Sequence, residues 1–305
     1  MNPEVSIILP TRKSRLFLPR SVESILRQSF ENFELIIIDD NLDPLESEFV
    51  KKISRSDRRI KYLKNMNVSR SKASLGQVLN LGIAAANSEL IARQDADDYS
   101  MANRLRHQLR AIESKGLDLV ATQGLNIDIN GRYRSSTTLP TLDEGIRNFL
   151  HYDNCFIHTS VMFRKSLCLK VGGYDESLTT AQDYDLWIRM IEEECKFEIL
   201  NKYLVAVSRW EGNVTSMTHE SVKSQNISLI KERYGYNVQE GMKPKVLHIR
   251  EALRINARNP IKCIEILIDN KGEIEIFKGI IRSESKGRIV YLNNRSKLKL
   301  NRGRL

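Results

Sequence analysis

The chain has few cysteines, no glycine-rich loop, no long apolar run and, near its C-terminus, no acid. Four cysteines occur in 305 residues, at positions 155, 168, 195 and 263, and no two form a CxxC pair. That scatter excludes a zinc ribbon or a disulfide framework and suits buried thiols in a reducing cytoplasm. The five histidines lack metal-ligand spacing. No segment approaches the roughly 18 continuous apolar residues of a membrane span. Met1-Asn2-Pro3-Glu4 lacks the basic region of a secretory signal, and the apolar run behind it has only a strand's length. A cytoplasmic location is therefore expected. From Lys286 to Leu305 there is no acidic residue, and Lys286, Arg288, Arg295, Lys297, Lys299, Arg302 and Arg304 are basic. These supply most of the net charge of +10. They imply an anionic partner: nucleic acid, an acidic membrane surface or a phosphorylated substrate.

What is present reads as an ordinary globular composition, with 41% hydrophobic and 28% charged residues. Val5-Ser6-Ile7-Ile8-Leu9 predicts a strand closed by Pro10-Thr11. Leu18, Val22, Ile25 and Leu26 share one helical face. Phe33-Glu34-Leu35-Ile36-Ile37-Ile38 predicts a strand buried on both sides, ending in Asp39-Asp40. Helices over 46–55 and 74–86, and strands at 60–63 and before Asp95, continue the alternation. Alternating strands and helices predict an α/β fold with a mostly parallel sheet and helices on both faces. Ligands then gather at the carboxyl ends of the strands. Beyond residue 110 the pattern is mixed, with a hairpin turn at Asn130-Gly131, a short strand at 160–163, a helix over 183–193 and a late strand at 203–207. Past about residue 218 it becomes basic and helical, through 245–258, so a boundary is expected near 220. The expected organisation is a nucleotide-binding part at 1–110, an acceptor-binding part at 111–220 and a mainly helical extension at 221–305.

Asp95-Ala96-Asp97-Asp98 stands apart, with three carboxylates within four residues at a strand end. Their mutual repulsion is unfavourable unless a cation sits among them. Oxygen ligands of this kind suit Mg²⁺ or Mn²⁺, which keep open positions for phosphate oxygens. The competing reading is an acidic turn in which Asp98 caps the following helix.

The order of motifs resembles family 2 glycosyltransferases of the GT-A fold, of the bacterial surface-polysaccharide type. It runs Val5-Ser6-Ile7-Ile8-Leu9-Pro10-Thr11, Ser24-Ile25-Leu26-Arg27-Gln28-Ser29-Phe30, Glu34-Leu35-Ile36-Ile37-Ile38-Asp39-Asp40, Asn80-Leu81-Gly82-Ile83-Ala84-Ala85-Ala86, Ile91-Ala92-Arg93-Gln94-Asp95-Ala96-Asp97-Asp98, Gly172-Gly173-Tyr174-Asp175 and Gln182-Asp183-Tyr184-Asp185-Leu186-Trp187. The resemblance covers roughly residues 4–217 and implies inverting sugar transfer from a nucleotide sugar, with uridine diphosphate the habitual carrier. It assigns Asp97 to the divalent metal (Mn²⁺ or Mg²⁺) and Asp95 to the ribose. Asp98 is left between the metal's water shell and a helix cap. One of Asp39 and Asp40, by preference Asp39, would meet the nucleotide base. Pro10, Thr11 and Arg12 would line the base or ribose. Lys72, Arg93 and Arg209 are further donor-binding candidates, Arg93 facing either the diphosphate or Asp95. Asn80 and Gly82 are read as either donor contacts or helix packing.

The resemblance also names Asp183 as the base that removes the acceptor hydroxyl proton. Relatives carry a Glu-Asp pair there, and this chain has Gln182-Asp183. Asp185 is support, Trp187 core, Gly172-Gly173-Tyr174 an acceptor-side loop and His158 a buried structural histidine. The acceptor implied is a saccharide or lipid-linked saccharide, with the basic tail free to meet anionic lipid on the inner face of the plasma membrane. Two other readings were weighed. A nucleotidyltransferase would use the same acids but wants a glycine in the Pro10-Thr11-Arg12 loop. A nucleic-acid-binding protein would explain the charge but not the motifs, so no nucleic acid is expected.

Overall fold

The computed structural model describes residues 2–66, 74–141, 143–151, 153–210, 220–236, 288–293 and 297–302. Its first half is a run of alternating strands and helices. These are β1 (Val5–Thr11), α1 (Leu18–Leu26), β2 (Phe33–Asp39), α2 (Pro44–Ser54), β3 (Ile60–Lys64), α3 (Leu75–Ala85) and β4 (Leu90–Arg93). β5 (Tyr99–Ser100), α4 (Arg104–Lys115), β6 (Leu119–Ile127), β7 (Tyr133–Thr137) and α5 (Asp143–Leu150) follow. After a 3₁₀ turn at His158–Ser160 come β8 (Met162–Arg164), α6 (Lys165–Lys170), α7 (Gln182–Glu192), β9 (Phe197–Ser208) and α8 (Glu220–Arg233).

The central sheet has the order β3-β2-β1-β4-β8-β6-β9-β5, with β7 on β6. β3, β2, β1 and β4 are parallel, as are β6 and β9, while β8, β5 and β7 pair antiparallel. This is the GT-A arrangement that the sequence implied. Both faces are covered, which explains the unbroken apolar runs of β1 and β2. Ile8, Ile36 and Ile38 belong to the core on the α3 face of the sheet, whereas Ile7, Leu9, Leu35 and Ile37 belong to the core that also holds α1 and α4 residues. A Cβ on Gly82 would lie 2.8 Å from Ile38 Cδ1 and from Ile8 Cγ2. Gly82 is thus the point where α3 lies closest to the sheet. Ser74 and Gln77 form a capping box at the start of α3.

From β1 the chain moves outward to β2 and β3, then returns to place β4 on β1's other side. The strand order reverses there, and the carboxyl ends of β1, β2 and β4 border the crevice where α/β sheets hold ligands.

Two expectations need correction. Asp98 does not cap α4. That helix begins after Asn103, which makes no side-chain cap bond, and residues 99–100 form β5, paired with β9. The extension is also not simply helical. β10 (Arg288–Asn293) and β11 (Lys297–Arg302) form an antiparallel pair. The alternation Lys297-Leu298-Lys299-Leu300 has period two, a strand signal rather than a helical one. The helix expected through 245–258 lies outside the described residues. Ile230 of α8 is 1% exposed and joins the main core.

Candidate active site

The acidic loop hangs from the end of β4 and is wired from beneath by two buried arginines. Arg93 and Arg104 are both 0% exposed. Arg93 donates to His158 Nε2 (3.0 Å), to the carbonyls of Ile8 and Gln94 (2.8 Å each) and to Asp95 Oδ1 (2.5 Å). Of the two readings of Arg93, the ion pair with Asp95 is the one observed. Its donors are turned inward, where they support Asp95. Arg104 donates to Gln94 Oε1, Ser100 Oγ, Gln108 Oε1 and the carbonyls of Arg93 and Val161. Burial lowers its pKa to about 9, with the charge of Arg93 acting the same way. Gln94 completes the wiring by donating to the carbonyls of Asp95 and Asp98.

The three acids differ in environment. Burial opposes ionisation of Asp95, but the charge and hydrogen bond of Arg93 outweigh it and hold its carboxyl below the usual range. Its side chain is 30% exposed. Asp97 is pushed up by burial and then by the charge of Asp95. Its Oδ2 accepts the Trp210 indole N–H at 2.9 Å, and its carbonyl accepts from Arg20 Nη2 and Ser208 Oγ. Asp98 is buried and pushed well up by burial, Asp97 and Asp95, and its Oδ1 takes the Ser208 N–H at 2.8 Å. Asp98 therefore ties the loop to β9.

Asp183 sits in the first turn of α7, behind Ala181 in a left-handed conformation (φ 60°). Asn154 Nδ2 donates to its Oδ2 at 2.8 Å. Burial raises its pKa to about 6, and the charge of Asp95 adds to the rise. Asp183 and the acidic loop, nearly ninety residues apart in sequence, thus share one neighbourhood. His158 lies between them, bound to Arg93 and to the Tyr174 hydroxyl (2.9 Å). Burial and Arg93 push its pKa down to about 3, so it is neutral and structural as expected.

A second cluster lies at the ends of β1 and β2. Asp39 is 0% exposed, and its carboxylate accepts from Tyr62 Oη (2.7 Å), Lys64 Nζ (3.2 Å), Asn41 N (2.9 Å) and Asn41 Nδ2 (2.8 Å). Burial works against its charge, and these donors outweigh it. Four internal donors satisfy this carboxylate. Asp40 takes two, from Asn65 Nδ2 (2.9 Å) and Arg12 Nη1 (3.2 Å), and burial raises its pKa. Of the pair, Asp40 has the fewer internal donors. Pro10 and Thr11 end β1 beside Ile38 and Asp39, and the Thr11 hydroxyl is buried without a partner.

The remaining candidates separate. Arg209 is exposed, with Nε on Asn126 Oδ1 at 2.8 Å, and its charge acts on Asp98. Asn80 holds both the N–H and the carbonyl of Tyr174 (2.9 Å each), so it fastens the Gly172-Gly173-Tyr174 loop. Asp185 is 0% exposed and binds Arg189, Arg233 and Tyr234. Trp187 is core. Lys72 lies outside the described residues. Trp210, Arg20, Arg104 and Asn154 were not singled out from sequence. Only Trp210 had a signal, as the neighbour of Arg209.

Residues 6–172, just over half of the chain, match the family described as Glycosyl transferase family 2. The chain belongs to that family. An uncharacterized glycosyltransferase of Methanocaldococcus jannaschii is 32% identical over 207 residues, covering 67% of this chain and 70% of that protein. The O-antigen biosynthesis glycosyltransferase WbnJ of Escherichia coli is 31% identical over 190 residues, covering 62% and 72%. Among solved structures, S. aureus TarS 1-349 in complex with UDP-GlcNAc superposes with a TM-score of 0.59 at 19% identity. That match covers 75% of this chain and 66% of TarS 1-349. Family membership makes glycosyl transfer the activity class, and the nucleotidyltransferase and nucleic-acid readings lose their support. Among the described residues no helix is long and apolar enough to cross a membrane.

Proposed function

We propose that the chain moves a sugar, with inversion, from a nucleotide sugar to a hydroxyl of a saccharide or lipid-linked saccharide in polysaccharide biosynthesis. The observation that carries this reading is Asp183: a partly buried carboxylate whose pKa desolvation raises to about 6, within the electrostatic reach of Asp95. A base with that pKa is ionised at neutral pH, yet it binds a proton strongly enough to remove one from an attacking hydroxyl. WbnJ is named for O-antigen biosynthesis, and the TarS complex holds UDP-GlcNAc. Another neighbour, a Pyrobaculum calidifontis mannosyltransferase at TM-score 0.57 and 13% identity, was solved with GDP-Man and Mn²⁺.

The residues fit a divalent cation that takes few protein ligands. Among the described residues no group of three or more His, Cys, Asp or Glu is arranged as a metal cage. Mg²⁺ and Mn²⁺ at diphosphates use one or two carboxylates, with water and phosphate completing the shell. Asp97 would hold the ion through Oδ1. Burial first, and then crowded negative charge, raises the pKa of Asp97 and Asp98, and a cation would relieve the crowding. Such an ion supplies charge stabilisation for the departing nucleoside diphosphate.

This chain's own residues divide the rest. Asp40, with Thr11, Pro10 and Arg12 beside it, receives the nucleotide base, while Asp39 anchors the loop internally. Asp95, held by Arg93, meets the ribose. Arg209 and Lys72 are the proposed cations for phosphate oxygens. Asp183, oriented by Asn154, takes the acceptor proton. The catalytic unit is proposed to run through Tyr236, with the basic segment beyond it meeting anionic lipid at the inner face of the plasma membrane. Liposome co-sedimentation without residues 286–305 tests that last point; unchanged binding removes it. The main test is a thermal-shift screen of UDP- and GDP-sugars with Mn²⁺. At least one donor should stabilise the parent and lose its effect in Asp97→Ala. Stabilisation retained in that variant removes Asp97 from the site.

A further inference from the structure

Trp210 is the side chain whose role the reaction above does not use. It follows β9 directly, and its indole N–H donates to Asp97 Oδ2 at 2.9 Å. Its ring packs against Phe17, with centroids 4.9 Å apart and planes at 42°. Phe17 is 4% exposed, and the Arg20 guanidinium lies 5.7 Å from its ring centre. Arg20 in turn donates to the Asp97 carbonyl at 3.1 Å and to Ser208 Oγ at 2.9 Å. Asp97 is thus held at two points, its backbone by Arg20 and Ser208 and its carboxylate by Trp210. Both points rest on one packed unit of α1 and β9.

The chemistry of the donor matters. An indole N–H donates one hydrogen bond, offers no lone pair to a metal and does not titrate near neutral pH. A bond to Oδ2 fixes the rotation of the carboxylate plane and leaves Oδ1 for another partner. Asp95 shows the same division: Arg93 fixes one oxygen and the side chain stays partly exposed. Each of these two acids has one oxygen held by the protein, so both carboxylates are pre-oriented before any ligand arrives. Pre-orientation removes the cost of ordering them at binding.

We propose that Trp210 is a positioning residue that aims Asp97 Oδ1 at a divalent cation. The proposal rests on the reading of Asp97 as the metal-binding acid. A residue that only packs the core would change stability and leave metal affinity alone. A positioning residue changes metal affinity and leaves metal-free nucleotide binding alone.

The experiment measures Mn²⁺ binding to the full chain by electron paramagnetic resonance, with UDP binding in EDTA followed separately by calorimetry. Trp210→Phe keeps a ring against Phe17 and removes the N–H. It should raise the Mn²⁺ Kd about tenfold, the effect of losing one hydrogen bond to a charged group, and leave the metal-free UDP Kd within twofold. Asp97→Ala should abolish Mn²⁺ binding. Unchanged Mn²⁺ affinity in Trp210→Phe, with binding lost in Asp97→Ala, overturns the positioning role and spares the Asp97 reading. Parent-like Mn²⁺ binding in Asp97→Ala overturns both. A second measurement needs no variant to fold. The chain has two tryptophans, and the Trp187 indole is buried without a hydrogen-bond partner. In a ¹⁵N-indole spectrum of the parent, the downfield, hydrogen-bonded Trp210 signal should shift on adding Mg²⁺ alone while the Trp187 signal stays. A Trp210 signal unmoved at saturating Mg²⁺ overturns the proposal.

Discussion

Arg233 Nη1 lies 3.0 Å from Asp185 Oδ1, joining α8 to the helix that carries Asp183. Arg233 also reaches Asp175, Asn226 donates to Thr180 Oγ1 at 2.8 Å, and Tyr234 donates to Asp185. α8 therefore grips both the first turn of α7 and the segment that leads into it. The two partners should differ in weight. Asp185 is fully buried among donors, so Asp185→Ala takes from Arg189 its carboxylate partner and from Arg233 one of two, and should cost about 3 kcal/mol. The Arg233 side chain is 47% exposed, and its loss leaves Asp185 two other donors, so Arg233→Ala should cost about 1 kcal/mol or less. Urea denaturation of both variants measures the difference; equal costs would mean that Asp185 acts mainly through Arg233.

His158 should not titrate near neutral pH. Its Nε2 accepts from Arg93 Nε, which places the ring proton on Nδ1. With the folded pKa pushed to about 3 and an unfolded value of about 6.5, only the unfolded state takes up a proton between those limits. The stability contributed by the neutral ring is complete above about pH 6.5 and is lost as pH falls through that window, by about 1.4 kcal/mol per pH unit. Ring ¹⁵N shifts measured from pH 5 to 8 should stay flat with an Nδ1–H pattern. A midpoint near 6.5 would show that Arg93 does not occupy Nε2.

Gly173 should tolerate no side chain. Its φ is +72°, and an added Cβ would sit 2.7 Å from Asn80 Oδ1, the atom that accepts the Tyr174 N–H. Gly173→Ala combines backbone strain with the loss of that bond, for roughly 2–4 kcal/mol. Gly172 is a control, with φ +88° but no atom within 4 Å of its added Cβ, so only the strain applies. A comparison of melting temperatures should place Gly173→Ala well below Gly172→Ala.

The sheet, its order of strands and helices, and the acidic loop were legible because each rests on local pattern. β1 and β2 are continuous apolar runs, α3 has a helical stripe, and Asp95 to Asp98 are contiguous. Side-chain pairings across long separations were not legible. Arg93 was visible as a cation, but only the fold turns its donors onto Ile8, His158 and Asp95. Asp39 and Asp40 are adjacent in sequence, and which of them is consumed internally depends on Tyr62 and Lys64 arriving from β3. Trp210 meets Asp97 across more than a hundred residues, and nothing in the Arg209-Trp210 dipeptide announces it. α8 lacks a clear apolar stripe, so its docking through Ile230, Arg233 and Tyr234 was hidden as well.

Asp183 carries the sharpest pH dependence. In its proposed role as base Asp183 works only when ionised, so with a pKa of about 6 kcat/KM should fall about fivefold between pH 6 and pH 5 and approach unit slope below that. The same burial has a stability consequence of opposite sense. The folded pKa lies above the unfolded carboxyl's ordinary 3.8, so the folded state holds this proton more tightly. That stabilisation is fully present below about pH 4 and is lost as pH rises through 6. At pH 7 the ionised, partly buried carboxylate is therefore a liability of up to about 3 kcal/mol. Asp183→Asn removes the charge, so it should abolish transfer, retain donor binding and raise stability at pH 7. The gain should vanish near pH 4. Denaturation curves at pH 4 and pH 7, beside initial rates across pH 5–8, test both halves. A variant that loses activity but is no more stable at pH 7 would mean that Asp183 is well solvated and that its pKa is ordinary.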